Sequence, residues 1–365
     1  DFLEQKPEDA PFCFWFGAKE PHRDYEEGSG IKNGLNPDDV VVPSYLPDCP
    51  EVRSDFLDYA LEIQRFDHDL GVMLDMLEAR GELDNTIVLI TGDNGNPFPR
   101  AKATVYQNGC HVPLAVSWPG GCPSGRRVTD FISFCDFAPT LLDIAGISHD
   151  GFDFSGRSFI DVLSSENEGR VDVERNYVMT GRERHAYSRH DNVGYPSRSI
   201  VTDDFLYIRN FEPERMPSGD PSTYGDVDDS PSKDIILQHK DEPEMKKYYE
   251  LCFGKRPAEE LYSVADGPDC VKNLASEPEF FETTAGFRAR LETELRDQGD
   301  PRLNGRGWIF DCFPYYGDGG GNNVYKFADA DFPEMTTRFY QKRHLPEDQE
   351  EQSFNAVPDY MKWID

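Results

Sequence analysis

A continuous β-branched run, Thr86–Thr91 (TIVLIT), followed at once by Gly92-Asp93-Asn94-Gly95, constrains this chain more than any other stretch. Uninterrupted apolar strands occur where both faces of a parallel sheet are covered. Ligands gather just beyond the carboxyl ends of such strands. A carboxylate and an amide oxygen on a Gly-flanked turn at that rim are hard oxygen donors suited to Ca2+ or Mg2+. Asp-Asn-Gly is equally a good turn sequence, and alone it says no more than that.

The surroundings read as an α/β arrangement. Pro11–Phe16 (PFCFWF) has the composition of a short buried strand. Between Ser54 and Arg80, Phe56, Leu57, Ala60, Leu61, Ile63, Leu70, Met73, Leu74 and Leu77 recur at helical period. Ser54 is a candidate N-cap there and Gly81 a stop. Pro113–Trp118 is a second apolar run, and a helix is predicted near Asp136–Ala145, ending at Gly146. Strand, helix, strand, strand, helix predicts a mostly parallel sheet sandwiched by helices over residues 1–170. Short strands at Tyr177–Thr180 and Ile200–Ile208, among many Gly, Pro and Asp, predict a smaller antiparallel α+β subdomain over residues 171–365. Ser218–Lys233 reads as a polar surface loop and Gly317–Asn323 as a flexible turn.

The charge balance narrows the partners. With 37 basic and 69 acidic residues the formal charge is −32, which opposes encounter with nucleic acid or an anionic membrane. An anionic substrate therefore needs a locally positive pocket. At 38% apolar and 13% aromatic the chain has material for a sizeable core. No stretch approaches ~18 uncharged apolar residues, so no membrane-spanning helix is expected. Eight cysteines show neither CxxC nor zinc spacing. Cys13 and Cys135 lie in apolar runs as core residues would, while Cys252 and Cys270 flank a loop and are candidates to pair. The absence of an Asn-x-Ser/Thr sequon speaks against a glycosylated lysosomal protein. The chain starts at Asp1 without Met or signal peptide and enters an apolar run almost immediately, so it reads as a piece lacking its amino-terminal part.

Two more residues return to the rim marked by Asp93 and Asn94. Lys102 follows nine residues after Asp93, and a lysine beside a metal can bind a tetrahedral oxyanion. Lys19-Glu20-Pro21-His22 leaves another strand end, and His22 there can donate to an oxyanion or protonate a leaving group. Taken singly, each also fits an ordinary surface position.

The ordered set KEPH, long helix, strand-GDNG, Lys102, TVYQNG, VPLAVSWPGG and FCDFAPTLLDIAG resembles the type I sulfatases of the alkaline-phosphatase superfamily. GDNGNPFPRAK, RERHAYSRHDNVGYPSRSI, IRNFEPERMPSGDP and KRPAEELYSV are most similar to the N-sulfoglucosamine sulfohydrolase (heparan sulfamidase) branch. The resemblance runs from about residue 11 to about residue 310. It implies an alkaline-phosphatase-like fold truncated at its amino end and hydrolysis of sulfate esters or sulfamates on sulfated sugars. It further implies calcium held by Asp93 and Asn94, with Lys102 and His22 on the sulfate. Glu20, Arg184, His185, His190 and Arg198 lie in segments that meet the sugar in such enzymes. The implied partners are a sulfated saccharide and an enzyme that makes the family's formylglycine nucleophile. The implied location is periplasmic or secreted, or lysosomal if the source is eukaryotic.

The nucleophile motif, Cys-x-Pro-Ser-Arg, does not occur. Cys122-Pro123-Ser124-Gly125-Arg126 has its Pro one place early, and Tyr195-Pro196-Ser197-Arg198 has Gly194 where the Cys belongs. Formylglycine and the remaining calcium ligands are therefore expected outside this chain, which is predicted inactive alone. A phosphate or phosphonate ester hydrolase of the same superfamily, and a non-catalytic cation- or glycan-binding module, stay open as alternatives.

Overall fold

The computed structural model describes residues 2–7 and 10–312, in two compact units. The expected turn at Gly317–Asn323 lies outside the described residues. The first unit takes in residues up to Val41 and Cys49–Leu83. It holds α1 (Phe2–Gln5), α2 (Ser29–Lys32) and the long α3 (Pro50–Ala79). The second takes in Val42–Asp48 and the described residues from Asp84. It holds β1 (Val88–Thr91), α4 (Gln107–Cys110), β2 (Leu114–Ser117), α5 (Phe137–Ile144) and α6 (Ile160–Ser164). After these come β3 (Tyr177–Arg182), β4 (Ser197–Thr202), β5 (Phe205–Asn210), α7 (Pro231–Gln238), α8 (Pro243–Phe253), β6 (Glu259–Ser263), α9 (Phe281–Asp297) and α10 (Ile309–Cys312).

In the first unit, α3 starts four residues before the expected Ser54 cap. Cys49 is its extended N-cap and Pro50 opens the first turn, where a missing N–H costs nothing. Gly81 ends it with φ +68, a conformation only glycine adopts freely. The start of α2 has no side-chain cap of its own, and Asp58 of α3 takes over that task. Its carboxylate accepts from Gly28 N at 2.9 Å and Gly30 N at 2.8 Å. Pro11–Phe16 does not form the expected buried strand: Phe14, Trp15 and Phe16 are exposed, as is Cys13. No strand pairs with this run among the described residues, so it has no ladder to join and no sheet to bury it.

In the second unit, β1 and β2 form an antiparallel ribbon, Val88 opposite Ser117 and Thr91 opposite Leu114. The expected parallel neighbours of β1 are not present among the described residues, and the ribbon is only partly covered. The antiparallel expectation for the later half holds, but the expected strand Ile200–Ile208 is two, because the chain turns at Asp203-Asp204 and pairs β5 back on β4. A four-stranded sheet runs β3-β4-β5-β6 with every pair antiparallel.

Side-chain alternation gives that sheet two dry faces. Ile200, Tyr207 and Leu261 pack with Leu291 and Leu295 of α9. Val201, Leu206, Ile208 and Tyr262 pack with Val105 and Tyr106. Each fully buried aliphatic contributes about 1.5–3 kcal/mol. The second face matters for function, because Val105 and Tyr106 end the loop that follows β1. Cys135 is exposed rather than in the core, and Cys252 and Cys270 are buried but free. Cys252 Sγ instead donates to Tyr45 O at 3.3 Å. The Ser218–Lys233 segment is not a surface loop either: Ser218, Tyr224, Asp226, Val227, Ser230, Ser232 and Lys233 are all buried.

Candidate functional site

The loop from Gly92 to Lys102 leaves β1 and folds tightly on itself. Gly95 N donates to Gly109 O at 2.9 Å, and a Cβ on Gly95 would lie 1.9 Å from Asn108 O, so glycine is required there. Pro97, Phe98, Pro99 and Arg100 are buried. Lys102 N donates to Asn96 O at 3.0 Å, bringing the lysine back beside a residue two places after Asn94. Asp93 and Asn94 sit exposed at the tip of this turn. Three of the expected site residues thus share one braced loop.

Arg100 is the brace. It adopts φ +66 and is 3% exposed. It donates to Leu251 O at 2.7 Å and to Cys270 O at 2.5 Å, and its guanidinium lies 3.9 Å over the Tyr106 ring. Tyr106 in turn donates to Glu260 at 2.7 Å, which also accepts from Tyr262 and Asn210. The loop is therefore tied to β5 and β6 by a closed polar network.

Lys102 Nζ lies 2.9 Å from the Asp228 carboxylate, with its side chain 12% exposed. Behind this pair stands a buried cluster. Asp226 accepts from Arg189 at 2.5 Å, from Ser188 at 2.8 Å and from Arg182. Burial alone would raise the Asp226 pKa, but Arg189 and Arg182 hold it down at about 2. Arg182 is itself lowered to about 10, first by desolvation and then by Arg189, against the pull of Asp226. His185 lies in the field of the same groups. Its pKa is lowered, first by desolvation and then by Arg182 and Lys102, with Asp226 and Asp228 opposing. His185 therefore favours its neutral form at neutral pH and can both donate and accept. His185 is exposed to solvent on one side, and the charge of Lys102 reaches it.

The other expected residues are placed differently. Arg184 is half-buried and donates to Asn192 O at 3.1 Å. His190 is exposed, 3.1 Å from Asp191, whose φ of +57 is left-handed. Arg198 faces inward: it is 8% exposed, and pairs with Asp300 at 2.7 Å and Glu183 at 2.6 Å. That leaves Arg198 the work of holding β4 against the Asp300 turn. In the first unit, His22 is exposed with Nδ1 2.5 Å from Arg23 O, on a turn and not at a strand end. Glu20 lines an open depression with Gln64, Arg65, His68 and Asp69.

Asp93 and Asn94 suit a calcium ion in kind but not in number. Calcium takes about six to eight oxygens, and no group of three His, Cys, Asp or Glu side chains gathers to hold a metal among the described residues. The two donors fit as part of a cage.

Arg100, Asp226, Asp228 and Glu260 escaped the sequence reading. The stretch Asp226-Val227-Asp228-Asp229 looks like solvated acid, and only the cations folded around it disclose its role. Its one signal was the spacing of Arg182 and Arg189 at seven residues, too common to single out.

Comparison with known proteins bears on the family of the chain. A sulfatase family model matches residues 1–147, and a model of the carboxyl-terminal part of N-sulphoglucosamine sulphohydrolase matches residues 100–215. An ulvan-active sulfatase of Formosa agariphila is 30% identical over 71% of this chain and 41% of its own length. Human N-sulphoglucosamine sulphohydrolase is 25% identical over 80% of this chain and 61% of its own. The chain thus spans about half the length of these relatives. A solved structure from a glycosaminoglycan-metabolism locus of Bacteroides thetaiotaomicron shares the fold, with TM-score 0.54 at 18% identity over 81% of this chain and 56% of that one. With two overlapping family models that together cover residues 1–215, the chain belongs to the sulfatase family.

Proposed function

We propose that this chain supplies part of the active site of a calcium-dependent hydrolase that releases sulfate from sulfated sugars, N-sulfated glucosamine in heparan-type saccharides or a related unit. The observation that carries this reading is the braced loop that holds Asp93, Asn94 and Lys102 together. Bound calcium would polarise the sulfate or sulfamate group. Asp93 and Asn94 would supply two of its oxygens. Lys102 neutralises charge that develops on the oxygens as the bond to sulfur breaks, an effect that is large where water is excluded. His185 hydrogen-bonds the sugar, to which Arg184 and His190 also present polar groups. The first unit's His22 and Glu20 keep the donor and sugar-contacting roles expected of them from the sequence. The nucleophile, a formylglycine made by a maturation enzyme, lies outside the 365 residues, and the setting is periplasmic or secreted.

The test is to produce the full-length protein that contains this chain and measure inorganic sulfate released from N-sulfated and O-sulfated glucosamine with added calcium. Calcium-dependent release supports the reading. Hydrolysis of phosphate or phosphonate esters with no sulfate release would replace it with the phosphoesterase alternative.

A further inference from the structure

Asp228 runs against the anion-binding role proposed for Lys102. A carboxylate 2.9 Å from Lys102 Nζ takes up much of the positive charge that an oxyanion needs. It is not a side chain that has strayed in from a loose surface. Two residues before it, Asp226 is locked by Arg182 and Arg189, and Asp226 N donates to Ser218 O at 3.1 Å. The intervening Val227 donates to Tyr224 O at 3.0 Å and accepts from the buried Lys233 Nζ at 2.9 Å. Two residues after it, Ser230 caps α7, accepting from Lys233 N at 3.1 Å. The backbone carrying Asp228 is therefore pinned on both sides, and the carboxylate is held beside the lysine by the fold.

Lys102 pairs with Asp228, and behind them Arg182 and Arg189 pair with Asp226, so fixed carboxylates offset much of the positive charge gathered there. A sulfate ester or sulfamate carries one negative charge on its transferring group. A phosphate monoester at neutral pH carries close to two. A carboxylate fixed beside Lys102 therefore opposes the latter about twice as strongly as the former.

Resting on the proposed sulfatase reading, we infer that Asp228 is a specificity residue: a fixed counter-charge to Lys102 that tunes the pocket to singly charged oxyanions and rejects dianionic phosphate monoesters. Removing its charge strengthens binding of any anion near Lys102. Coulomb energy scales with the product of the charges, so the free-energy gain for a dianion is twice that for a monoanion. The fold-gain for the dianion is then the square of that for the monoanion.

The experiment uses the 365-residue chain and its Asp228→Asn variant at pH 8 and constant ionic strength, without added metal, so that only protein charges act. Mass spectrometry follows how fast an amine-reactive reagent labels Lys102 as methyl sulfate or methyl phosphate is titrated in. The half-protecting concentration of each anion is the readout, and circular dichroism confirms folding. Asp228→Ser serves where the Asn variant does not fold. The expected result is tighter protection in the variant, about fivefold for methyl sulfate and about twenty-five-fold for methyl phosphate. Equal gains for both anions, a larger gain for methyl sulfate, or no gain would overturn the charge-filter role of Asp228. Labelling of Lys102 that neither anion slows, in either protein, would instead overturn the anion-binding role of Lys102, and with it the reading beneath.

Discussion

Arg100 lies with its guanidinium 3.9 Å over the ring of Tyr106, and this contact joins the loop after β1 to the four-stranded sheet. Lys102 is two residues further on, so the lysine's position depends on where Arg100 is held. Arg100→Lys keeps the charge but loses the planar fork that serves Leu251 O and Cys270 O together. We expect a loss of about 2–4 kcal/mol in stability, because buried carbonyls lose donors and an ammonium is buried in their place. Chemical denaturation of the 365-residue chain measures it. An unchanged midpoint would mean that Arg100 does not brace the loop.

Asp226 makes stability depend on pH. Its folded pKa of about 2 lies below its ordinary value of 3.8, so the group favours the folded state wherever it is ionised in both states. That stabilisation, ~2 kcal/mol, is complete above about pH 5, and is lost as the pH falls toward 2. In Asp226→Asn the two arginines keep their burial without their partner, at a cost of about 3–5 kcal/mol. Thermal midpoints recorded between pH 6 and pH 3 should fall less steeply for the variant than for the parent. Parallel curves would show that another group controls the acid limb.

Calcium should bind the 365-residue chain only weakly, with a dissociation constant above about 1 mM, since two oxygens make a small part of its shell. The chain alone should release no sulfate from glucosamine N-sulfate. None of its cysteines stands in Cys-x-Pro-Ser-Arg, and half-buried Cys122 is occupied by Arg126 at 3.5 Å. Calorimetry and a sulfate assay check both statements. Metal-dependent turnover would require a nucleophile among residues 1–365.

How much of this was legible in the sequence differs by region for physical reasons. The antiparallel character of the second half was legible in its short β-rich runs among turn residues, but Ile200–Ile208 reads as one strand where Asp203-Asp204 turns the chain between β4 and β5, and β6 gave no separate signal. The turn at Gly92–Gly95 and the return of Lys102 were visible as short-range pattern. The fate of Pro11–Phe16 was not, because an apolar hexamer becomes a strand only where a neighbour offers hydrogen bonds. Asp226 and Asp228 were misread for a related reason. An acidic stretch looks like solvated surface until Arg182, Arg189 and Lys102, far away in sequence, fold around it. Arg198 ran the opposite way: a basic residue in a promising segment is consumed by Asp300 and Glu183.

The central claim is that Lys102 binds the sulfate group in the transition state, and turnover of Lys102→Ala in the full-length protein tests it most directly. The account predicts a loss of about 10²–10³ in kcat, as for removal of one oxyanion donor, and a milder loss in Lys102→Arg, whose guanidinium also pairs with tetrahedral oxyanions. A kcat for sulfate release that is unchanged in Lys102→Ala, with calcium bound as in the parent, would contradict it.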